Sequence, residues 1–235
     1  MKKISKGAEA TIYSDNDKII KKRTPKSYRI KEIDDKLRKS RTRREAKILQ
    51  KLPNEICHPE LIKMDDKNME VVMSKINGSK IRDILDIVTQ HDNQIALQNS
   101  KFLKRQGKLC NDNSCNSDNK ETYYNNLKLC NEIGNKVAMM HNLGIIHGDL
   151  TTSNMIYDKK IFLIDFGLSY FSEKIEDKAV DIHIFRQAIE SKHHTVYKKA
   201  YKLFLEGYKQ KSNNYDEIIK RLETVESRGR NKGKE

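Results

Sequence analysis

The sequence predicts an α+β protein of two lobes, a small β-rich N-terminal lobe followed by a reduced, mostly helical C-terminal lobe. Three observations predict this fold class: short β-branched runs fill the first 23 residues, helical patterns dominate the C-terminal half, and no Pro/Gly/Ser-rich linker separates them. Only 36% of the 235 residues are hydrophobic, which indicates one economical core shared by both lobes. We place the N-terminal lobe at residues 1–76, the C-terminal lobe at 77–225 and a basic tail at 226–235.

The N-terminal lobe is predicted to begin with a β-hairpin. The runs EATIY (9–13) and KIIKK (18–22) are β-branched, and SDND between them is made of residues that tolerate tight turns. The stretch KGAEAT (6–11) has a single glycine, Gly7, flanked by small alanines. Because small side chains allow a backbone to approach a phosphate closely, this stretch is a candidate phosphate-covering loop.

Helical and strand segments then follow by pattern. A long exposed helix is predicted from Ile33 to Leu52, since apolar residues recur among dense charge, no glycine interrupts them and Pro53 follows. Residues 91–120 contain six Asn and few apolar residues, so we expect a flexible insertion there. The remaining predicted elements are a strand in MEVVMSKING (69–78), a helix from KIRDILDIV (80–88), a buried helix at 127–144, a strand KIFLID (160–165) and helices around 177–190, 194–211 and 215–225.

Charge is distributed unevenly along the chain. Residues 1–52 hold 18 Lys/Arg against 7 Asp/Glu and residues 186–235 hold 13 against 7, whereas residues 53–185 hold 16 against 19. Basic ends around a slightly acidic middle indicate a polyanionic partner contacted by both ends, most simply nucleic acid. A lysine-rich surface that only keeps the protein in solution remains the alternative.

The cysteines and the hydropathy pattern bear on location. No Cys-x-x-Cys pair occurs, so the cysteines are interpreted as reduced thiols: Cys57, Cys110, Cys115 and Cys130. No run approaches the ~20 apolar residues that a membrane span requires. We therefore expect a cytoplasmic and nuclear protein without a membrane partner.

Two short motifs carry the chemistry. HGDLTTSN (147–154) contains Asp149 and Asn154 with four residues between them, and IDFG (164–167) brings Asp165 to the end of an apolar strand. Phosphoryl transfer requires a residue that orients the attacking hydroxyl or water and oxygen ligands for magnesium. A helix cap or a turn would explain each residue alone, but not the set in this order.

A phosphate-binding lysine on a strand and a glutamate on a helix should lie upstream. Lys21 ends the apolar part of KIIKK, and Glu45 follows it by 24 positions on the predicted long helix. Lys22 points to the opposite face of the same strand, and strand periodicity alone does not choose between the two lysines.

Six stretches together resemble one family: KGAEATIY, IIKKRTPKSYR, RTRREAKIL, IHGDLTTSN, IDFGLSYFSEKIEDKAVDIHIF and RLETVESRGR. This family is the small atypical serine/threonine kinase and ATPase subunit of the KEOPS (also called EKC) complex, a relative of the RIO kinases. The resemblance covers nearly the whole chain except residues 91–120. It implies a two-lobed protein-kinase-like fold that uses ATP and magnesium.

The resemblance also implies roles for individual residues. Lys21 rather than Lys22 would contact phosphate, with Glu45 as its partner and Asp149 as the catalytic residue. Asn154 and Asp165 would be metal ligands, and Asp181 would support the catalytic loop. The implied ATP contacts are Lys6, Gly7, Ala8, Glu9, Ala10, Lys21, Met73 and Lys75.

The family serves the threonylcarbamoyl modification of tRNAs that read codons beginning with A. The implied partners are a threonylcarbamoyl-transferase subunit, other KEOPS subunits and tRNA, which the tail would contact through Arg228, Arg230, Lys232 and Lys234. Two other functions stay open at this stage. One is a small-molecule phosphotransferase of the aminoglycoside or choline kinase type, since such enzymes share the HGD motif, and the other is a catalytically silent RNA-binding scaffold.

Overall fold

The computed structural model describes residues 1–7, 9–90 and 117–230. The N-terminal lobe is a five-stranded antiparallel sheet with strand order β1-β2-β3-β5-β4. Its strands are β1 (Lys2–Lys6), β2 (Thr11–Asp15), β3 (Lys18–Lys22), β4 (Leu61–Asp65) and β5 (Glu70–Ser74). The predicted hairpin is confirmed as β2 and β3, and Asn16 takes the left-handed conformation (φ 51°) in the turn between them. Strand β4 was not predicted, because LIKMD is a mostly exposed edge strand without apolar alternation.

One long helix, α1 (Lys31–Lys51), crosses behind this sheet. The prediction of Ile33 to Leu52 is confirmed to within two residues. Leu52 is extended (ψ 129°), since the residue before a proline is driven out of the helical region. The helix buries a narrow face that contains Glu45, Ala46 and Ile48, and it turns its many charged residues outward.

The second lobe is mainly helical, as predicted. Its helices are α2 (described over 81–90), α3 (Ser117–Asn142), α4 (Ile175–Lys192), α5 (Tyr197–Lys211) and α6 (Tyr215–Arg230), and its short strands are β6 (Ser79–Lys80), β7 (Ile145–Ile146), β8 (Met155–Asp158), β9 (Lys160–Leu163) and β10 (Tyr170–Phe171). One hydrophobic cluster joins Ile48 of α1 and Val71 of β5 to Ile133 and Phe185 of the helical lobe. The two lobes therefore share a core.

The expected insertion at 91–120 is only partly open to comparison. Residues 91–116 lie outside the described residues, whereas residues 117–120 form the first turn of α3, so the expected end of the insertion is wrong. Polar side chains obscured this turn, because SDNK has no apolar residue to mark a buried helical face.

The beginning of the predicted tail is also different. Helix α6 continues to Arg230 instead of ending near 225. Glu226 forms an ion pair with Arg186, and Arg228 donates to Glu176 at 2.9 Å. Residues 226–230, which were placed in the tail, are therefore part of helix α6, while Lys232 and Lys234 lie outside the described residues.

Within the described part of the chain, no helix is both long enough and apolar enough to cross a membrane.

Candidate active site

A cavity of about 330 Å³ lies between the β-sheet and the helical lobe. Its walls are largely aliphatic and come from both lobes: Ile4, Ile12, Ile19, Met73, Ile76, Ile156 and Ile164. Four of the polar side chains that line it could carry chemistry, namely Lys21, Glu45, Asn154 and Asp165, and Lys21 contacts both Glu45 and Asp165. An apolar pocket with a few convergent polar groups has the general form of a small-molecule site.

Strand geometry separates the two candidate lysines, Lys21 and Lys22. Lys21 lies on the same face of β3 as Ile19 and points into the cavity, whereas Lys22 points to the other face and donates to Glu70 at 2.7 Å. The Lys21 side chain is 7% exposed and that of Lys22 is 44% exposed. Of the two lysines, Lys21 is therefore the one that reaches the cavity.

Lys21 holds two carboxylates. Its Nζ donates to Glu45 Oε1 at 2.7 Å and to Asp165 Oδ1 at 2.6 Å. Burial in itself lowers the pKa of Lys21, but the charges of Glu45 and Asp165 outweigh burial and hold that pKa above its usual value. Burial likewise raises the pKa of Asp165, but the charge and hydrogen bond of Lys21 bring it below its usual value. Lys21 and Asp165 therefore each favour the charged form of the other.

A second buried cation shares Glu45. Arg23 is 3% exposed, and its Nη2 donates to Glu45 Oε2 at 2.6 Å. Two cations on the two oxygens of one carboxylate fix the rotamer of Glu45, and hence the side of α1 that faces Lys21. Arg23 was not predicted, although it lies two positions after Lys21 and alternation along an extended chain places both on one face.

The two residues of the HGDLTTSN motif are joined directly. Asn154 Nδ2 donates to Asp149 Oδ2 at 2.8 Å and to the Asp149 carbonyl oxygen at 2.9 Å. A short 3₁₀ helix (Thr152–Asn154) covers this turn, and the backbone N–H of Ile164 donates to the Asn154 carbonyl at 3.0 Å. The loop that carries Asp149 is thereby tied to the segment that carries Asp165.

Asp181 of α4 supports the same loop from below. It is fully buried, and its carboxylate accepts from the backbone N–H groups of His147 and Gly148, both at 2.9 Å, and from His141 Nε2 at 3.1 Å. Burial raises the pKa of Asp181, but the hydrogen bond and charge of His141 and the nearby His147 lower it below its usual value. Asp181 therefore lies where the resemblance placed a supporting aspartate.

Gly148 is required at this point for a local reason. Its φ is +78°, and a Cβ there would meet the Leu168 carbonyl oxygen at 2.7 Å. Any larger residue would therefore strain the left-handed backbone and would also clash with the Leu168 carbonyl.

Substitution of Asp181 by asparagine should reduce the free energy of unfolding by about 3 kcal/mol at neutral pH, because an amide cannot satisfy three donors as a carboxylate does. A folded pKa below the unfolded value of about 3.9 stabilises the protein above that pH, and this contribution is lost as the pH falls through the folded pKa. Urea unfolding at about pH 7 and about pH 3.5 should show the difference between the two proteins narrowing in acid. Equal stability of the two proteins at pH 7 would refute the role of Asp181.

The candidate phosphate loop is not at the cavity wall. Of the residues predicted there, Lys6, Gly7, Glu9 and Ala10 do not line the cavity, and Ala8 lies outside the described residues. The Gly7 N–H donates to the Ala10 carbonyl at 2.9 Å, which closes the turn. Glu9 forms ion pairs with Arg29 and with Arg41 of α1. Burial opposes ionisation of Glu9, but the hydrogen bonds from Arg41 and Arg29 bring its pKa below the usual value.

The other predicted nucleotide contacts, Met73 and Lys75, do line the cavity, together with residues that sequence reasoning missed. The missed residues are Ile4, Ser5, Ile12, Ile19, Pro59, Ser74, Ile76, Lys80, Ser153, Ile156 and Ile164. Strand alternation could have identified Ile19, which shares a face with Lys21 and pairs with Met73 across the sheet. The residues from β8 could not have been found in this way, because they come from the other lobe.

The donor set is compatible with magnesium. Asn154 and Asp165 both line the cavity and offer amide and carboxylate oxygens. No cluster of three or more His, Cys, Asp or Glu side chains occurs among the described residues, and magnesium bound with phosphates takes only one or two protein carboxylates. The residues present therefore fit a magnesium–nucleotide site better than an all-protein metal site.

Comparison with known proteins adds three kinds of finding. A family model described as "Protein tyrosine and serine/threonine kinase" matches residues 1–203. The chain is 42% identical over 190 residues to the "EKC/KEOPS complex subunit BUD32" of Enterocytozoon bieneusi (strain H348), which covers 81% of this chain and 82% of that protein.

The chain is also 35% identical over 232 residues to the "Probable bifunctional tRNA threonylcarbamoyladenosine biosynthesis protein" of Methanocaldococcus jannaschii, covering 97% of this chain but only 36% of that longer protein. Among solved structures, the Rio2 kinase–ADP/Mg²⁺–phosphoaspartate complex from Chaetomium thermophilum aligns with a TM-score of 0.51 and 16% identity. That alignment covers 97% of this chain and 70% of the Rio2 chain, and at this identity the likeness is one of fold.

Proposed function

Because the chain belongs to the BUD32 family of KEOPS complex subunits, within the protein kinases, we propose that it is an atypical serine/threonine kinase that acts chiefly as an ATPase in tRNA threonylcarbamoylation. The observation that carries the proposal is that one cavity is lined by Lys21, Glu45, Asn154 and Asp165, with Lys21 hydrogen-bonded to both Glu45 and Asp165. Asp149 lies beside them through its hydrogen bonds with Asn154.

Each residue has a distinct part in this proposal. Lys21 binds the phosphates of ATP, and Glu45 keeps the lysine extended into the cavity. Asn154 and Asp165 hold magnesium, which neutralises phosphate charge when it is bound. Asp149 accepts the proton of the attacking hydroxyl or water. The aliphatic walls, including Met73 and Ile156, surround the adenine.

The short segment after Asp165 favours water over a peptide as acceptor. Helix α4 begins at Ile175, only ten positions after Asp165, and β10 occupies part of the interval. The sequence has no Ala-Pro-Glu segment there, so little backbone is available to hold a peptide substrate. We therefore assign ATP hydrolysis as the main reaction and transfer to protein serine or threonine as a minor one.

The partners in the proposal follow from the named relatives. A threonylcarbamoyl-transferase subunit and other KEOPS subunits would assemble with this chain, and tRNA would be the shared substrate. The basic ends of the chain support contact with RNA. We place the protein in the cytoplasm and nucleus, and cell fractionation that finds it in a membrane fraction alone would contradict this.

Neither alternative function is favoured. The relatives carry KEOPS names rather than those of aminoglycoside or choline kinases. A silent scaffold is disfavoured because the cavity retains its lysine, its metal-ligand candidates and the Asp149–Asn154 contact.

The proposal is tested by measuring phosphate release from ATP by the protein alone, with the transferase subunit, and with the transferase subunit plus unmodified tRNA. Turnover should require magnesium and should be greatest in the complete mixture. The same protein incubated with aminoglycoside or choline should phosphorylate neither. Efficient phosphorylation of either small molecule, without ATP hydrolysis in the complex, would contradict the proposal.

The four basic residues predicted to contact tRNA, Arg228, Arg230, Lys232 and Lys234, should contribute electrostatically. Changing all four to glutamine should weaken tRNA binding and reduce the slope of log affinity against log salt by about 2 to 4, since each phosphate contact contributes about 0.7 to 0.9. The melting temperature should hardly change, because among the described residues the variant loses one exposed ion pair, between Arg228 and Glu176. Unchanged tRNA affinity and slope would show that the tail does not bind tRNA.

A further inference from the structure

The outward face of α1 carries a row of basic residues that plays no part in the candidate active site. We call it the α1 basic stripe: Lys36, Lys39, Arg43, Arg44, Lys47 and Lys51. All six are exposed. Apart from the adjacent Arg43 and Arg44, neighbouring members are three or four positions apart, which places them on one helical face over a length of about 22 Å.

The charge of the stripe is largely uncompensated. Arg43 forms an ion pair with Asp66, but the other five residues form no salt bridge within the described residues. Like charges four positions apart destabilise a helix by about 0.2–0.5 kcal/mol per pair. Elsewhere on the same helix compensation is present, because Arg38 pairs with both Asp34 and Asp35. The stripe is therefore a local excess of positive charge rather than a general property of α1.

An aromatic edge borders the stripe. The stripe and β10 enclose a groove of about 640 Å³, and Tyr170 and Phe171 form its other side. Lys47 Nζ lies 5.5 Å and Lys51 Nζ 4.9 Å from the centroid of the Phe171 ring. Phe171 is 39% exposed, so part of its ring is open to a ligand.

The segment that follows Phe171 in the chain contacts the basic end of α6. Glu176, near the start of α4, follows Phe171 by five positions, which span at most about 17 Å of chain. Glu176 accepts hydrogen bonds from Arg221 and Arg228 of α6. A short stretch of chain therefore connects the aromatic edge of the groove to the residue that holds the basic end of α6.

We propose that the α1 basic stripe and Phe171 form a groove for the backbone of RNA, continuous with the basic end of α6. Several cations in a row, one for each helical turn, suit a polymer of repeated phosphates, and an exposed aromatic ring can stack on a base. An acidic protein is the less suitable occupant, because lysine is depleted at the centres of protein interfaces. The choice of tRNA as the RNA rests on the proposed function.

The first test removes three charges from the stripe. A Lys39→Gln, Arg44→Gln, Lys47→Gln protein keeps good helix formers on an exposed face and should fold normally. The control is Lys2→Gln, Lys3→Gln, Lys18→Gln, which removes the same charge from β1 and β3 of the same lobe, whereas α1 packs on β4 and β5. Binding of an unmodified tRNA transcript is measured between about 50 and 200 mM salt.

The stripe variant should bind tRNA on the order of 10²-fold more weakly at about 0.1 M salt, with a salt slope smaller by about 2 to 3. The control should change little. If both variants lost the same affinity for tRNA, the effect would come from net charge alone and the proposal would be wrong. Unchanged affinity and salt slope in the stripe variant would also overturn the proposal.

A Phe171→Ala variant gives a second readout that charge alone does not produce. Loss of base stacking should weaken tRNA binding about tenfold without changing the salt slope, because no phosphate contact is removed. Binding as tight as that of the wild type would refute the stacking role of the ring. If the stripe variant instead lost the transferase subunit and kept its affinity for tRNA, the groove would be a protein docking surface and the RNA proposal would be wrong.

ATP hydrolysis without RNA, measured on the same proteins, separates this inference from the proposed function. If the stripe variant hydrolyses ATP like the wild type and also binds tRNA as tightly, the groove proposal is wrong and the proposed function is unaffected. If the complex that contains the wild-type protein does not hydrolyse ATP, the proposed function is wrong.

Discussion

Replacement of Asp149 by alanine should lower ATP turnover by about 10²- to 10⁴-fold while nucleotide binding largely survives. Such a loss corresponds to roughly 3 to 5 kcal/mol of transition-state stabilisation. Asp149 is not one of the residues that line the cavity, and it contacts the cavity through Asn154. Its removal should therefore act on the chemical step and leave the aliphatic walls and Lys21 in place.

The measurement is phosphate release at saturating magnesium-ATP, with nucleotide affinity determined separately by calorimetry. Asp158→Ala is a matched control, because Asp158 is an exposed aspartate at the end of β8, in the same lobe, and does not line the cavity. The control should keep the wild-type rate. An Asp149→Ala protein with half of the wild-type rate would remove Asp149 from the catalytic role.

Replacement of Asp165 by asparagine should abolish magnesium-dependent nucleotide binding. The change preserves the size of the side chain but removes one charged oxygen from an ion that contacts few protein groups. It also removes the charge that Lys21 Nζ contacts at 2.6 Å, which leaves Glu45 as the carboxylate partner of that lysine. Binding without magnesium should change much less.

Titration of a non-hydrolysable ATP analogue, with and without magnesium, checks this expectation. The magnesium-dependent gain in affinity should disappear in the variant and persist in Asp158→Asn. A full magnesium effect in Asp165→Asn would mean that the metal is held elsewhere.

The parts of the site that lie within short motifs were predictable from the sequence. The spacing of Asp149, Asn154 and Asp165 reflects one chemical requirement: in the structure Asn154 and Asp165 line the cavity, and Asp149 accepts a hydrogen bond from Asn154. Strand alternation could not decide between Lys21 and Lys22, because it does not show which face of β3 is covered by the rest of the protein. Glu45 lies on the side of Lys21, and this depends on how α1 packs on the sheet.

Long-range contacts account for the rest. Helix α6 extends past Val225 where Glu226 meets Arg186 and Arg228 meets Glu176, and both partners belong to α4. The aliphatic walls come from two lobes, so no single segment shows a periodic signal for them. Glu9 is held by Arg29 and Arg41 rather than placed at the cavity wall, and local sequence gave no indication of those partners.

The central claim is that ATP turnover at this site serves tRNA modification. The most direct test is the yield of threonylcarbamoyl-adenosine on an unmodified tRNA transcript, in a complex reconstituted with wild-type protein, with Asp149→Ala or without this subunit. We expect full modification only with the wild-type protein, and a rate reduced by about 10²-fold or more with Asp149→Ala. Equal modification with the Asp149→Ala protein, or in the absence of the subunit, would contradict the account.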